Sequence, residues 1–300
     1  MKRFVLGFAL VGAIGFLGVS IASAQEVAAP KKYEEVPVSD GGTVSGKVTF
    51  KGTPPAPKLH ELSKFPQSGF CGKVDSDGKN RKQILVTVNN GALSDVVVFI
   101  EGIEKGKPFK FAGTDVKADT CRFLAQGPSS FVGVVMEGGE FRVENLDADP
   151  DDPKSVDGVL HNPHTYNVYG PSSRTIFNKP LATKGQVINY KFKKLDLKKS
   201  PIIFLQCDQH NFMEAWFHGV KSPYYAVVGK DGTFTIDGIP PGEYEIEAWH
   251  PMMGETKEQK VKIAPNGKIS VNFEFSSADV KIKSIEPKKD EKGEKAEKEG

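Results

Sequence analysis

At 300 residues the chain exceeds one average domain, so one large or two small domains fit it. Hydrophobic residues make up 38% and aromatics 10%, enough for a packed core. The 40 basic and 38 acidic residues nearly cancel, which removes any electrostatic case for a nucleic-acid partner.

Lys2 and Arg3 precede an apolar run from Phe4 to Ile21, and Ala22-Ser23-Ala24 then offers a small-residue cleavage site before Gln25. This is the three-part pattern of a secretory signal peptide over residues 1–24, and it predicts a periplasmic or extracellular protein. A retained anchor is the alternative, because the run is just long enough to span a bilayer. Cleavage removes two basic residues and no acid, leaving a mature chain near zero net charge. No later stretch is apolar enough to cross a membrane. Residues 25–41 are polar and contain proline, and read as a linker.

From Gly42 the texture is that of strands. Residues 43–50 alternate, with Val44, Val48 and Phe50 on one face, and stop at Gly52 and Pro54-Pro55. Residues 84–88 and 96–100 read as strands separated by a turn at Asn89-Asn90-Gly91. Residues 131–136, 140–144, 187–192 and 202–206 follow the same pattern, whereas residues 59–65 suit a short helix. Asp147, Asp149, Asp151, Asp152 and Asp157 fit no EF-hand spacing, and predict a solvated acidic loop.

After Tyr224 the chain punctuates itself differently: Lys230-Asp231-Gly232 and Pro240-Pro241-Gly242 bound strands in which Phe234 and Ile236, then Tyr244, Ile246 and Ala248, share faces. The string from Asp231 to Tyr244 resembles the carboxypeptidase regulatory-like (prealbumin-type) β-sandwich over residues 223–275. Residues 43–57 resemble that family's first strand, so whatever lies between would be an insertion within it. The last residues, 287–300, are Lys, Glu, Asp, Gly, Ala and Pro, and 276–300 is expected to be a disordered charged tail.

Three cysteines in an exported chain imply one pair and one leftover. Cys71 and Cys121, both in polar surroundings, are the candidates for a disulfide. Cys207 differs: it follows a strand and opens the string Cys207-Asp208-Gln209-His210-Asn211-Phe212-Met213. A thiolate, an imidazole and a thioether in one short loop suit copper in both oxidation states, and favour one-electron transfer over hydrolysis. A second imidazole is available upstream in His161-Asn162-Pro163-His164.

The C-x2-H-x2-M loop resembles the ligand loop of the plastocyanin/amicyanin-like blue copper proteins, the cupredoxins. The His161-Asn162 pair, preceded by Asn145-Leu146-Asp147, resembles the segment bearing that family's first histidine ligand. The resemblance covers about residues 125–220, within a cupredoxin-like domain drawn at 42–222. It implies an all-β fold, a Greek-key sandwich beside the smaller prealbumin-like one. It also implies a single mononuclear copper held by His161, Cys207 and His210 with Met213 axial. Asn162 would steady the cysteine loop from behind, and His164 and His218 stand in reserve. An insertion separates Asp147 from His161, and Pro163 and Glu214-Ala215-Trp216 depart from the family pattern. Phe212 and Trp216 either form an apolar rim around the His210 edge or pack between sheets. His60 is expected at the surface and His250 at a turn.

The function so implied is an electron carrier, not an enzyme, that meets a redox protein such as a cytochrome or dehydrogenase. A copper-binding or cell-surface interaction module without redox turnover is the alternative. A thiol enzyme using Cys207 and His210 is a third reading, in which Met213 has no role.

Overall fold

The computed structural model describes residues 33–282. The signal-peptide reading (1–24) therefore lies outside the described residues, as do the first part of the linker and residues 283–300. Among the described residues no helix is long and apolar enough to cross a membrane.

The fold is all-β and is organised as two pairs of sheets. In the first pair, a four-stranded sheet joins Phe123–Ala125, Thr114–Ala118, Glu140–Asn145 and Val187–Lys191. It faces a five-stranded sheet of Val132–Val135, Glu214–Gly219, Ile202–Cys207, Pro163–Tyr169 and Ser172–Asn178. Val116, Phe141, Val143 and Ile188 from one sheet meet Ile203, Leu205, Ala215 and Phe217 from the other in a single core.

The second pair is assembled from both ends of the chain. One sheet orders Tyr225–Val228, Val96–Glu101, Gly242–Trp249 and Lys257–Ile263. The other centres on Gly42–Lys51, which pairs with Thr233–Ile239, Lys268–Ser270, Phe273–Ser276 and the short hairpin strand Ala92–Leu93. Gly42–Lys51, which the sequence allowed to either unit, and Val96–Glu101 thus contribute their strands to the sheets of the C-terminal segment. Val44, Val48 and Phe50 are buried together, as their alternation requires. Gly46 is needed in the same strand, because a Cβ there would lie 1.6 Å from the carbonyl oxygen of Val271.

The central strands of the five-stranded sheet are buried on both faces, which explains why residues 202–207 read as an almost unbroken apolar run. Ile203, Leu205 and Phe217 point into the first core. Phe204 and Trp216, with ring centroids 4.3 Å apart, point into the second, where His218 stacks on Phe99 at 4.4 Å. Those side chains join the two sheet pairs.

Several sequence expectations change. Residues 59–65 are not a helix: Lys58–Glu61 pairs antiparallel with Asn80–Gln83, turning His60 inward, before a short 3-10 turn at Leu62–Lys64. His60 is buried, not superficial, because Gln83 bonds its Nε2 at 2.8 Å. Of residues 84–88 only Val88 joins a strand; the hairpin Val88–Asn89 to Ala92–Leu93 turns at Asn90 and Gly91, both at positive φ. Within the expected linker, Glu34–Glu35 pairs parallel with Lys105–Gly106, and Tyr33 donates to the Lys107 carbonyl at 2.7 Å. Residues 276–282, expected to begin a disordered tail, are held in place. Asp279 accepts from the Ser276 backbone and pairs with Lys257 at 2.8 Å, and Val280 bridges Met253.

Candidate metal centre

Strand Ile202–Cys207 alternates between the two cores, so its last residue, Cys207, falls on the side of the first. The loop after it closes at once: the Met213 amide donates to the His210 carbonyl at 2.8 Å, and the Cys207 amide donates to the Met213 carbonyl at 3.1 Å. This tight closure brings His210 Nδ1 to 3.8 Å from Cys207 Sγ. Met213 is fully buried in the same core cluster.

The second imidazole arrives across the sheets. The segment after Asp147 folds back on itself, with the Val159 amide donating to the Asp147 carbonyl at 3.0 Å and Asn145 Nδ2 bonding the carbonyls of Val159 and Leu181. His161 is then pinned by reciprocal backbone bonds to Leu181. Its Nε2 donates to Asp147 Oδ2 at 2.8 Å, which fixes the tautomer and leaves the Nδ1 lone pair free. That Nδ1 is buried and has no hydrogen-bond partner. One ligand atom each from His161, Cys207 and His210 lies within 4.8 Å of the others, and all three residues are completely buried.

The same chemistry accounts for the electrostatics. Burial pushes the Cys207 thiol up to about 11, although the Asn162 amide donating to Sγ at 3.3 Å works against it. Burial likewise pushes His210 down to about 4. A neutral imidazole, an unpartnered imidazole nitrogen and a thiol whose proton a metal can displace form a soft nitrogen–sulfur donor set.

The reserve candidates sit elsewhere. His164 is three residues from His161 and so faces the other side of its strand. It bonds Asp208, Thr175 and Tyr166. His218 lies on the far face of the five-stranded sheet against Phe99 and Trp249. Asn162 ties the two motifs together, its amide on Cys207 Sγ and its side chain on Asp208 at 3.1 Å. Trp216 packs between the sheet pairs, whereas Phe212 lies beside the His210 ring at 5.7 Å and is itself covered by Phe65 at 5.0 Å, so the two do not form one exposed rim. His250 does hold a turn, accepting the Met252 amide at 3.0 Å.

The Cys71–Cys121 disulfide forms as the sequence led us to expect, and sequence reasoning missed only its place beside the centre, together with two other groups, Asp147 and the Pro66 carbonyl. Asp147 is not part of a solvated loop but is 1% exposed, bonding His161 and the amides of Thr120 and Cys121. Its signal was the Asn145-x-Asp147 spacing. Cys71 and Cys121 are bonded to each other, and their sulfurs lie within 4.8 Å of a His210 nitrogen. The Pro66 carbonyl accepts from His210 Nε2 at 2.7 Å, and nothing local in the sequence marks it.

No family model and no curated protein sequence matches the chain. Among solved structures it is similar to a Cu-containing nitrite reductase from Thermus scotoductus, at 15% identity over 39% of this chain and 24% of that one, with a TM-score of 0.26. It is also similar to a reduced Cu(I) variant of amicyanin, at 18% identity over 41% of this chain and 98% of that one, TM-score 0.24. A purple cupredoxin from Nitrosopumilus maritimus is similar at 15% identity over 35% and 98%, TM-score 0.24. The chain thus spans about a quarter of the nitrite reductase. The neighbours are copper proteins, and the reading of the centre rests on its own residues.

Proposed function

We propose that this protein is an exported one-electron carrier with a single mononuclear copper held by His161, Cys207 and His210, with Met213 as the weak axial ligand. The observation that carries this reading is the buried, unpartnered Nδ1 of His161, in a residue that brings a ligand nitrogen within 4.8 Å of ligand atoms of Cys207 and His210. An orphaned polar nitrogen in a core costs free energy unless something binds it. A bound copper would supply a reversible one-electron couple. The chain's own residues supply the rest. Asp147 orients His161, the Asn162 amide steadies the cysteine sulfur, and full burial excludes water. Three protein donors in a closed core, with Met213 buried in the same cluster, favour outer-sphere transfer over catalysis at an open metal position. The acceptor would be a redox protein such as a cytochrome or dehydrogenase, met in the periplasm or outside the cell. The second sheet pair would be a prealbumin-type sandwich into which the copper-bearing sandwich is inserted.

The test is the visible spectrum of the copper-loaded, oxidised protein. An intense thiolate-to-copper band, bleached reversibly by reductant, is expected. Copper bound without reversible reduction would instead leave a copper-binding interaction module, and a colourless protein that prefers zinc would overturn both.

A further inference from the structure

His210 is completely buried, so its ring has no edge at the surface. What covers it is the segment 58–83, anchored by the paired strands Lys58–Glu61 and Asn80–Gln83. The cover is fastened at three places, each beside the centre. Gln67 accepts the Leu160 amide at 2.9 Å and donates to Ser155 Oγ at 2.7 Å, binding the cover to the chain just before His161. Cys71 is bonded to Cys121, next to the amide that Asp147 holds. Arg81, 2% exposed, donates to the carbonyls of Cys71, Thr120 and Cys121 and lies over the Phe212 ring at 5.4 Å, while Gln83 donates to the Phe212 carbonyl at 3.1 Å. A loop held by so many buried polar bonds does not open cheaply. Pro66, whose carbonyl receives the His210 Nε2 proton, is itself exposed.

Building on the copper reading above, we propose that residues 58–83 are a fixed seal over the metal and that electrons leave through the His210 Nε2–H···O=C Pro66 hydrogen bond, which makes Pro66 the contact surface. One electron passes from Cu(I) to an outer-sphere oxidant, and the Nε2 proton stays where it is. The competing exit runs through Cys207 to exposed Asp208, which accepts from Asn178, the residue before exposed Lys179.

Two substitutions separate the exits. Pro66→Glu and Lys179→Gln each lower the charge by one and touch no proposed ligand. Oxidation of the Cu(I) protein is followed at low ionic strength with anionic hexacyanoferrate(III) and with a cationic cobalt(III) phenanthroline complex. Pro66→Glu is expected to slow the anion and speed the cation by about three- to tenfold, with Lys179→Gln nearly silent. The reverse pattern, or no response at Pro66, overturns the route. The seal is read separately in the zinc-loaded protein by NMR. His210 Nε2–H should exchange slowly with water, and Gln67→Ala should accelerate that exchange. Rapid exchange in the unaltered protein overturns the seal. A missing copper couple would sink the carrier function alone, since the NMR measurement needs no redox activity.

Discussion

The two sheet pairs differ in how the chain makes them. The pair that holds the candidate centre is drawn from one continuous span, Thr114–Ala118 to Glu214–Gly219. The other is closed only when the C-terminal strands return to Gly42–Lys51, with the whole of that first span looped out between Val96–Glu101 and Tyr225–Val228. The two also differ in where they bury polar groups. The first gathers imidazoles and a thiol at one end of one core. The second buries His250 apart from any other imidazole or thiol, its Nε2 unpartnered. His218, on the shared sheet, is sandwiched between Phe99 and Trp249. Clustering makes a binding site; isolation makes only a stability liability. The shared five-stranded sheet means that neither pair is independent of the other.

The largest expected effect breaks the comparison at the metal. Cys207→Ser should abolish the visible band altogether while leaving the near-UV circular dichroism of both cores in place. A retained band would exclude Cys207 as the thiolate. Next come the neighbours Trp216 and Phe217, which point to opposite faces of the shared sheet. Replacing either by alanine should cost about 3–5 kcal/mol in urea unfolding. Native-state hydrogen exchange should assign the loss from Phe217→Ala to the first pair, and that from Trp216→Ala to both pairs. Identical exchange maps would show that the two faces act as one core.

Opening the Cys71–Cys121 bond as the double serine variant releases a 50-residue closure. It should destabilise the metal-free protein by about 2–4 kcal/mol. Thermal unfolding measures it, and an unchanged midpoint would show that Arg81 and Gln67 hold the cover unaided.

The smallest effect is a dependence on pH. Burial pushes His218 down to about 4 and His250 to about 3. Between those values and the ordinary imidazole range the unfolded chain binds protons that the folded protein does not. Stability is therefore whole above about pH 6.5 and falls as the solution is acidified, by roughly 2 kcal/mol per buried imidazole at pH 5. His218→Phe keeps the ring stacked on Phe99, so the stability lost between pH 7 and pH 5 should shrink by about that amount. An unchanged acid slope would mean that His218 is already protonated in the fold.

The sequence by itself determined what is local. Alternation placed Val44, Val48 and Phe50 on one face, and the strand before Cys207 was visible as an apolar run. The spacing Cys207-x2-His210-x2-Met213 lets a single tight turn set a thiol and an imidazole side by side, because a few backbone dihedrals decide it. Even His161 against His164 was half legible, since residues three apart on a strand face opposite ways. Tertiary structure alone decided the rest. His210 meets Pro66 across 144 positions in the sequence. Asp147 turned from a solvated acid into the partner of His161, and Gly42–Lys51 joined strands from the far end of the chain. Those outcomes depend on which long closures bury the most apolar surface together, a property of the whole packed core and of no short window of residues.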